Sequence, residues 1–177
     1  MKELSGSHVV LTIGHSTRTL ETFIQLLTSN RVATLVDIRT IPRSRHNPQF
    51  NGDTLPASLS AAGIGYRHMA GLGGLRRPRP DSPNQGWLNS SFRGFADYMQ
   101  TPEFETNLQA LIALSQQGTI VLMCAEAVPW RCHRSLIADA LLVRGIPVEH
   151  IISGTSRRVH TLTSWAQVSG NRITYPP

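Results

Sequence analysis

Short apolar runs alternate along this chain with segments whose apolar residues recur every three or four positions. The runs have the length of buried strands and lie at residues 9–13, 34–38, 64–69, 119–123 and 148–152. Parallel strands need long connections, and helices are the usual connection. The alternation therefore predicts an α/β fold, a single-domain three-layer α/β/α sandwich with a mostly parallel sheet of about five strands.

Helices are predicted where the helical spacing lies between two strands. The first begins after Thr19, a candidate N-cap, and ends at Asn30. Further helices are predicted at residues 55–62, 91–100, 103–117 and 131–144. Residues 40–53 and 70–90 lack periodicity, which is typical of functional or disordered loops, and the pattern is weak from Thr155 onward. At 177 residues and without an internal repeat, the chain has the size of one domain.

The composition favours a soluble protein with an anionic partner. No apolar run approaches the length that spans a bilayer, so we expect a cytoplasmic location. Two cysteines are too few for a disulfide framework, which favours free thiols in a reducing compartment. The formal net charge is +6, and only Lys2 among the 17 basic residues is a lysine. Arginine binds phosphate through paired hydrogen bonds, so this charge predicts a phosphate-bearing partner, although arginine-rich codon usage gives the same composition.

Polar residues follow the predicted strands at equivalent positions. The strand ends carry Gly14-His15-Ser16, Asp37-Ile38-Arg39, Arg67-His68, Cys124-Ala125-Glu126 and residues 150–153. The carboxyl ends of parallel strands meet at one edge of a sheet, and open α/β sheets bind ligands at that edge. We therefore expect these segments, which are distant in sequence, to line one cleft.

The segment from Cys124 to Arg134 concentrates reactive side chains between a predicted strand and a predicted helix. Helical spacing directs His133 inward, with Cys132 and Arg134 on either side of it. The amides and dipole at a helix N-terminus lower the pKa of a thiol, so Cys132 is a candidate thiolate. The alternative is a buried cysteine that packs as a small apolar residue beside a hydrogen-bonded histidine.

Two further interpretations of these cysteines remain open. Thiol-based transfer is one, although the spacing differs from that of phosphate-binding cysteine loops because six residues separate Cys124 from Arg131. Metal binding is the other, since Cys124, Cys132 and His133 are ligand types of zinc and iron, with His15, Glu126 or His68 as additional ligands. The chain lacks a Walker A loop and a Gly-x-Ser-x-Gly elbow, which disfavours standard nucleoside-triphosphatase and serine-hydrolase chemistry.

Arginines and one aspartate are the candidate charged groups of the cleft. Three arginines leave the second predicted strand, namely Arg39, Arg43 and Arg45. Three more lie in the irregular segment 70–90 and form either a closing loop or a solvated basic loop, namely Arg76, Arg77 and Arg79. Asp37 stands in an apolar strand, where an unpaired carboxylate is costly, so we expect it to pair with Arg39 or Arg134 or to act as a general acid or base.

Four separated motifs resemble the bacterial domain-of-unknown-function 488 family. They are Gly14-His15-Ser16, Asp37-Ile38-Arg39 with Pro42 and Ser44, Leu72-Gly73-Gly74, and Cys124-Ala125-Glu126 with Cys132-His133-Arg134. The resemblance implies an α/β fold with a site built from these motifs, and it implies no reaction. It covers a core at about residues 12–153 of the single domain 1–177 and leaves a tail at 154–177.

We expect an enzyme that acts on a phosphate-bearing substrate, a nucleotide or a nucleic-acid end, in a cleft at the carboxyl ends of the strands. The candidate catalytic residues are Asp37, Cys124, Glu126, Cys132 and His133. The candidate substrate ligands are His15, Ser16, Arg39, Ser44 and Arg134. The alternatives are a non-catalytic nucleic-acid-binding accessory protein and a thiol or metal redox protein, with the metal at Cys124, Cys132 and His133.

Overall fold

The computed structural model describes residues 8–177 and contains one six-stranded sheet. Its strands are β1 (Val10–Gly14), β2 (Thr34–Asp37), β3 (Gly65–His68), β4 (Ile120–Cys124), β5 (Val148–Ser153) and β6 (Ser156–Val159). They lie in the order β3-β2-β4-β1-β5-β6, and every pair is parallel except β5 with β6. The prediction of an α/β fold with a mostly parallel sheet is confirmed.

Five helices cover the two faces of the sheet. They are α1 (Leu20–Ser29), α2 (Leu55–Ala61), α3 (Ser90–Tyr98), α4 (Pro102–Ser115) and α5 (Arg134–Leu142). Thr19 caps α1 as predicted, because its hydroxyl accepts a hydrogen bond from the Thr22 amide at 3.1 Å. Among the helices of residues 8–177, none combines the length and the apolar content needed to cross a bilayer.

The central strand β4 divides the core into two layers. Val121 and Met123 pack in the cluster that contains α1 and α2, whereas Leu122 and Cys124 pack in the cluster that contains α3, α4 and α5. This alternation follows from the period of two along a strand. It directs the Cys124 side chain towards α5 and away from α1.

Helix α5 begins later than the helical spacing predicts. Pro129–Arg131 form a single 3-10 turn, and Cys132 is extended with φ −133° and ψ 145°. The predicted helix at 131–144 therefore begins at Arg134, and Cys132 lies in the connection before it. This boundary matters for the site because it brings Cys132 back towards the end of β4.

The tail that is weakly patterned in sequence is ordered against the sheet and α5. It forms β6 and a hairpin of β7 (Gln167–Ser169) with β8 (Arg172–Thr174). Tyr175 is fully buried, and its hydroxyl donates a hydrogen bond to Asp139 Oδ2 at 2.8 Å. Polar contacts of this kind leave no periodic apolar signal, which is why the sequence pattern does not reveal them.

Candidate functional site

A cavity of about 340 Å³ opens at the carboxyl ends of β2 and β4. It lies between the connection from β4 to α5 and the segments around residues 39–43 and 74–75. Five predicted site residues line it, namely Arg39, Cys124, Glu126, Cys132 and His133. The cleft expected from the strand ends therefore brings together motifs from three distant parts of the chain, since Gly74 also lines it.

The two cysteines meet at the floor of this cavity. Both are free and buried, and their Sγ atoms lie 2.6 Å apart. The Cys132 thiol donates to Cys124 Sγ, and Arg134 Nη1 donates to the same sulfur at 2.7 Å. Cys124 thus receives hydrogen bonds from a thiol and from a guanidinium, both of which stabilise its thiolate.

The pKa values of the two thiols move in opposite directions. Burial raises the pKa of Cys124. The hydrogen bond from Cys132 and the charge of Arg134 outweigh burial, and together they lower the pKa to about 7. Burial and the neighbouring Cys124 raise the pKa of Cys132 well above its ordinary value. The lowered pKa favours Cys124 as the thiolate, whereas the position of Cys132 before a helix led us to expect Cys132 from the sequence. The Arg134 amide does donate to Cys132 Sγ at 3.5 Å, but burial and the neighbouring Cys124 outweigh this contact.

Arg134 lies inside the protein, beneath the β4–α5 connection. Its side chain is fully buried, Nη1 also donates to the Glu126 carbonyl, and Nη2 donates to the Ala127 carbonyl at 2.9 Å. Gly14 makes room for this loop, because a Cβ atom there would lie 1.8 Å from the Glu126 carbonyl oxygen. Arg134, which the sequence predicts as an anion ligand, therefore stabilises the loop and donates to Cys124 Sγ from the protein interior.

His133 connects the cysteines to the opposite wall of the cavity. Its Nε2–H donates to the carbonyls of Ile38 at 3.1 Å and Leu72 at 3.0 Å, which leaves Nδ1 as an acceptor 3.6 Å from Cys132 Sγ. Burial lowers the pKa of His133 to about 4, so the ring is neutral at physiological pH. The inward orientation predicted from helical spacing is present, and it gives Cys132 a neutral imidazole neighbour.

Asp37 and Arg39 form a buried, two-pronged ion pair. Arg39 Nε donates to Asp37 Oδ1 at 2.9 Å, and Nη2 donates to Oδ2 at 2.7 Å. The Tyr66 hydroxyl donates to the same carboxylate at 2.6 Å, and burial raises the pKa of this phenol. The sequence allows Asp37 either to pair with an arginine or to act as an acid or base, and in the structure it pairs with Arg39. Arg39 also lines the cavity.

His15, Ser16 and Ser44 support the cavity without lining it. The His15 ring stacks on Phe50 with centroids 4.5 Å apart, and its Nε2 lies 3.4 Å from Arg39 Nη1. Burial lowers the pKa of His15. The Ser16 amide donates to the Ala125 carbonyl at 3.0 Å, and Ser44 Oγ accepts from the Asn47 amide at 3.1 Å. Their roles as substrate ligands stay predictions.

The exposed charges of the cavity come from three other side chains. Arg43, Glu126 and Arg131 line it and are exposed to solvent. The backbone amides of residues 126–128 donate no hydrogen bond within the described part of the chain. In the sequence, Arg131 marks only the end of a six-residue spacing from Cys124. No pattern there shows that the turn at 129–131 directs this residue to the cavity.

The arginines of segment 70–90 are partly engaged within the protein. Arg76 stacks over the Tyr98 ring at 3.7 Å, and Arg79 pairs with Asp81 at 3.2 Å on the surface. Arg77 is exposed. These contacts favour the interpretation of a solvated basic loop that is anchored by α3.

Cysteine and histidine side chains, which commonly bind metal ions, line the cavity. In the portion of the chain from residue 8 to residue 177, no three His, Cys, Asp or Glu side chains cluster in a way that would hold a metal ion. Metal binding at Cys124, Cys132 and His133 stays a prediction.

Comparison with known proteins identifies one family. The family model described as "Domain of unknown function DUF488" matches residues 19–141. The matched region contains the Asp37–Arg39 pair, both cysteines and Arg134, whereas His15 and Ser16 precede it. No curated protein and no solved structure matches the chain.

Proposed function

The chain belongs to the DUF488 family, whose description names no activity, and we propose that it is an enzyme that uses Cys124 as a nucleophile on a phosphate-bearing substrate. The substrate class is a nucleotide or a nucleic-acid end. The observation that carries the proposal is a thiol with a pKa of about 7 at the floor of a cavity, hydrogen-bonded to Cys132 and Arg134. A thiolate populated at neutral pH is the reactive form of cysteine.

Three features of the cavity support binding of an anion above Cys124. Arg43 and Arg131 present exposed guanidiniums, and Arg39 Nη1 has only the 3.4 Å contact to His15. Glu126 also lines the cavity, and its backbone amide donates no hydrogen bond within the described residues. Backbone amides and arginine forks are the usual ligands of phosphate oxygens in proteins. Phosphate in this position would hold the rest of the substrate within reach of the sulfur.

Glu126 is the proposed general acid or base. Its side chain is exposed at the mouth of the same cavity, whereas Asp37 is fully buried in its pair with Arg39. A proton donor or acceptor must exchange its proton with solvent or substrate between turnovers. Of the two predicted carboxylates, Glu126 is therefore the better candidate for proton transfer.

Alkylation of Cys124 by iodoacetamide should be half-maximal near pH 7. The thiolate is the reactive species, so the rate rises with pH through this pKa and falls below it. In a Cys132→Ala variant the midpoint should move to higher pH, because the hydrogen bond that lowers the pKa is lost. Peptide mass spectrometry assigns the modified residue. Faster modification of Cys132 than of Cys124 would contradict the assignment of the nucleophile.

Inorganic phosphate or adenosine monophosphate should slow the alkylation of Cys124 at constant ionic strength. Removing Arg43 and Arg131 together should weaken this protection at least about tenfold, because a hydrogen bond to a charged group contributes roughly 1.5–3 kcal/mol. Arg67→Ala is the matched control, since Arg67 is an exposed arginine of β3 that does not line the cavity. An alkylation rate unaffected by either compound would refute the phosphate-bearing substrate.

A further inference from the structure

The sulfur atoms of Cys124 and Cys132 lie very close together, and the proposed catalysis by Cys124 does not require a bond between them. At 2.6 Å, the separation of Cys124 Sγ and Cys132 Sγ exceeds the length of a disulfide bond by about 0.6 Å. We propose that Cys124 and Cys132 form a reversible intramolecular disulfide when the protein meets a hydroperoxide, and that this bond switches the Cys124 chemistry off. The inference concerns the dithiol itself and does not depend on the identity of the substrate.

The backbone around the two cysteines brings residues that are eight positions apart next to each other. Cys124 is the last residue of β4, and Cys132 is extended after the 3-10 turn Pro129–Arg131, outside α5. The bond would close a loop of seven intervening residues, two of which are already held by Arg134 through their carbonyls. The two sulfurs already face each other across this loop at 2.6 Å.

The two thiols are unequal in the way that a two-step oxidation requires. Cys124 Sγ accepts hydrogen bonds from Arg134 Nη1 at 2.7 Å and from the Cys132 thiol, so negative charge is stabilised on this sulfur and not on Cys132. The Cys132 thiol donates its hydrogen bond to Cys124 Sγ, so its sulfur is already in contact with the atom that it would attack. Cys124 therefore attacks the oxidant, and Cys132 resolves the intermediate.

The reaction balances with a hydroperoxide as the only oxidant. The Cys124 thiolate attacks the terminal oxygen of ROOH, the O–O bond breaks, and Cys124 becomes a sulfenic acid while the alkoxide takes a proton to leave as ROH. Cys132 then loses its proton, its sulfur attacks Cys124 Sγ, and hydroxide leaves as water. The dithiol has lost two electrons and the peroxide has gained them, and a small dithiol such as dithiothreitol reverses the change.

The test treats the reduced full-length protein with one equivalent of hydrogen peroxide. The expected product is a monomer that has lost two hydrogen atoms by intact mass and whose Cys124 no longer reacts with iodoacetamide. Trypsin cleaves after Arg131, between the cysteines, so the peptides that contain Cys124 and Cys132 remain together only if the disulfide links them. Dithiothreitol should restore both the mass and the alkylation.

Single variants separate the two steps. In Cys132→Ser, peroxide should leave Cys124 as a sulfenic acid that dimedone traps. In Cys124→Ser, the remaining thiol should react at least about tenfold more slowly, because Cys132 Sγ is buried and receives no hydrogen bond from the Arg134 guanidinium. Disulfide-linked dimers, or separate oxidation of the two sulfurs in the unsubstituted protein, would overturn the inference. Phosphate is absent from this experiment, so its outcome is independent of the phosphate-protection test of the proposed function.

Discussion

An Asp37→Ala variant is expected to be less stable than the parent protein by about 3–5 kcal/mol, the usual cost of removing one partner of a buried ion pair. Asp37 is fully buried and holds Arg39 by two hydrogen bonds. Without the carboxylate, the Arg39 charge remains buried with only the Phe50 carbonyl and His15 as neighbours. The Tyr66 hydroxyl also loses its acceptor.

Urea denaturation followed by circular dichroism measures this change in the free energy of unfolding. Asp81→Ala is the matched control, because Asp81 also pairs with an arginine but at an exposed site, where ion pairs contribute little. Asp37→Asn should recover part of the loss, since an amide still accepts hydrogen bonds from Arg39. If Asp37→Ala and Asp81→Ala had equal stability, the buried pair would not support the wall of the cavity.

An Arg134→Met variant should lose most of the reactivity of Cys124 at pH 7. Removal of the guanidinium takes away a hydrogen bond and the positive charge nearest to the thiolate. An adjacent opposite charge ordinarily changes a pKa by about one to three pH units. We therefore expect the midpoint of alkylation to rise from about 7 by roughly that amount. At pH 7, alkylation should slow by about fivefold or more.

The pH profile of alkylation distinguishes this effect from general destabilisation. Arg134→Met also leaves the carbonyls of Glu126 and Ala127 without donors, so folding is checked by circular dichroism. Arg134→Lys keeps the charge and should retain a midpoint closer to that of the parent protein. Arg144→Met is the matched control, because Arg144 pairs with Glu105 away from the cavity. An unchanged midpoint in folded Arg134→Met would show that Arg134 does not set the pKa of Cys124.

Much of the fold follows from patterns that are local in sequence. The apolar runs predict β1 to β5, and Thr19 predicts the start of α1, because strand and helix periods are properties of a few adjacent residues. The tail is different. β6 and the burial of Tyr175 depend on contacts with β5, Asn84 and Asp139, and these contacts carry no periodic signal in the tail itself.

The location of the candidate site also follows from sequence, since parallel strands end at a common edge. Arg39, Cys124, Glu126, Cys132 and His133 do line one cavity. Their individual roles depend on atoms that the pattern does not describe. The sequence alone allows Arg134 to face a substrate, whereas the structure buries it beneath the loop.

The sequence by itself determined an α/β sheet and the strand edge at which its polar motifs gather, because both depend on short-range periodicity and the geometry of parallel strands. Only the tertiary structure decided which thiol has the lowered pKa and which side chains reach the cavity. The 3-10 turn at 129–131 returns Cys132 to the end of β4 and directs Arg131 to the cavity, while Arg134 approaches Cys124 from within the protein. A pKa and a hydrogen bond depend on distances of a few ångströms between residues that the chain alone does not make neighbours.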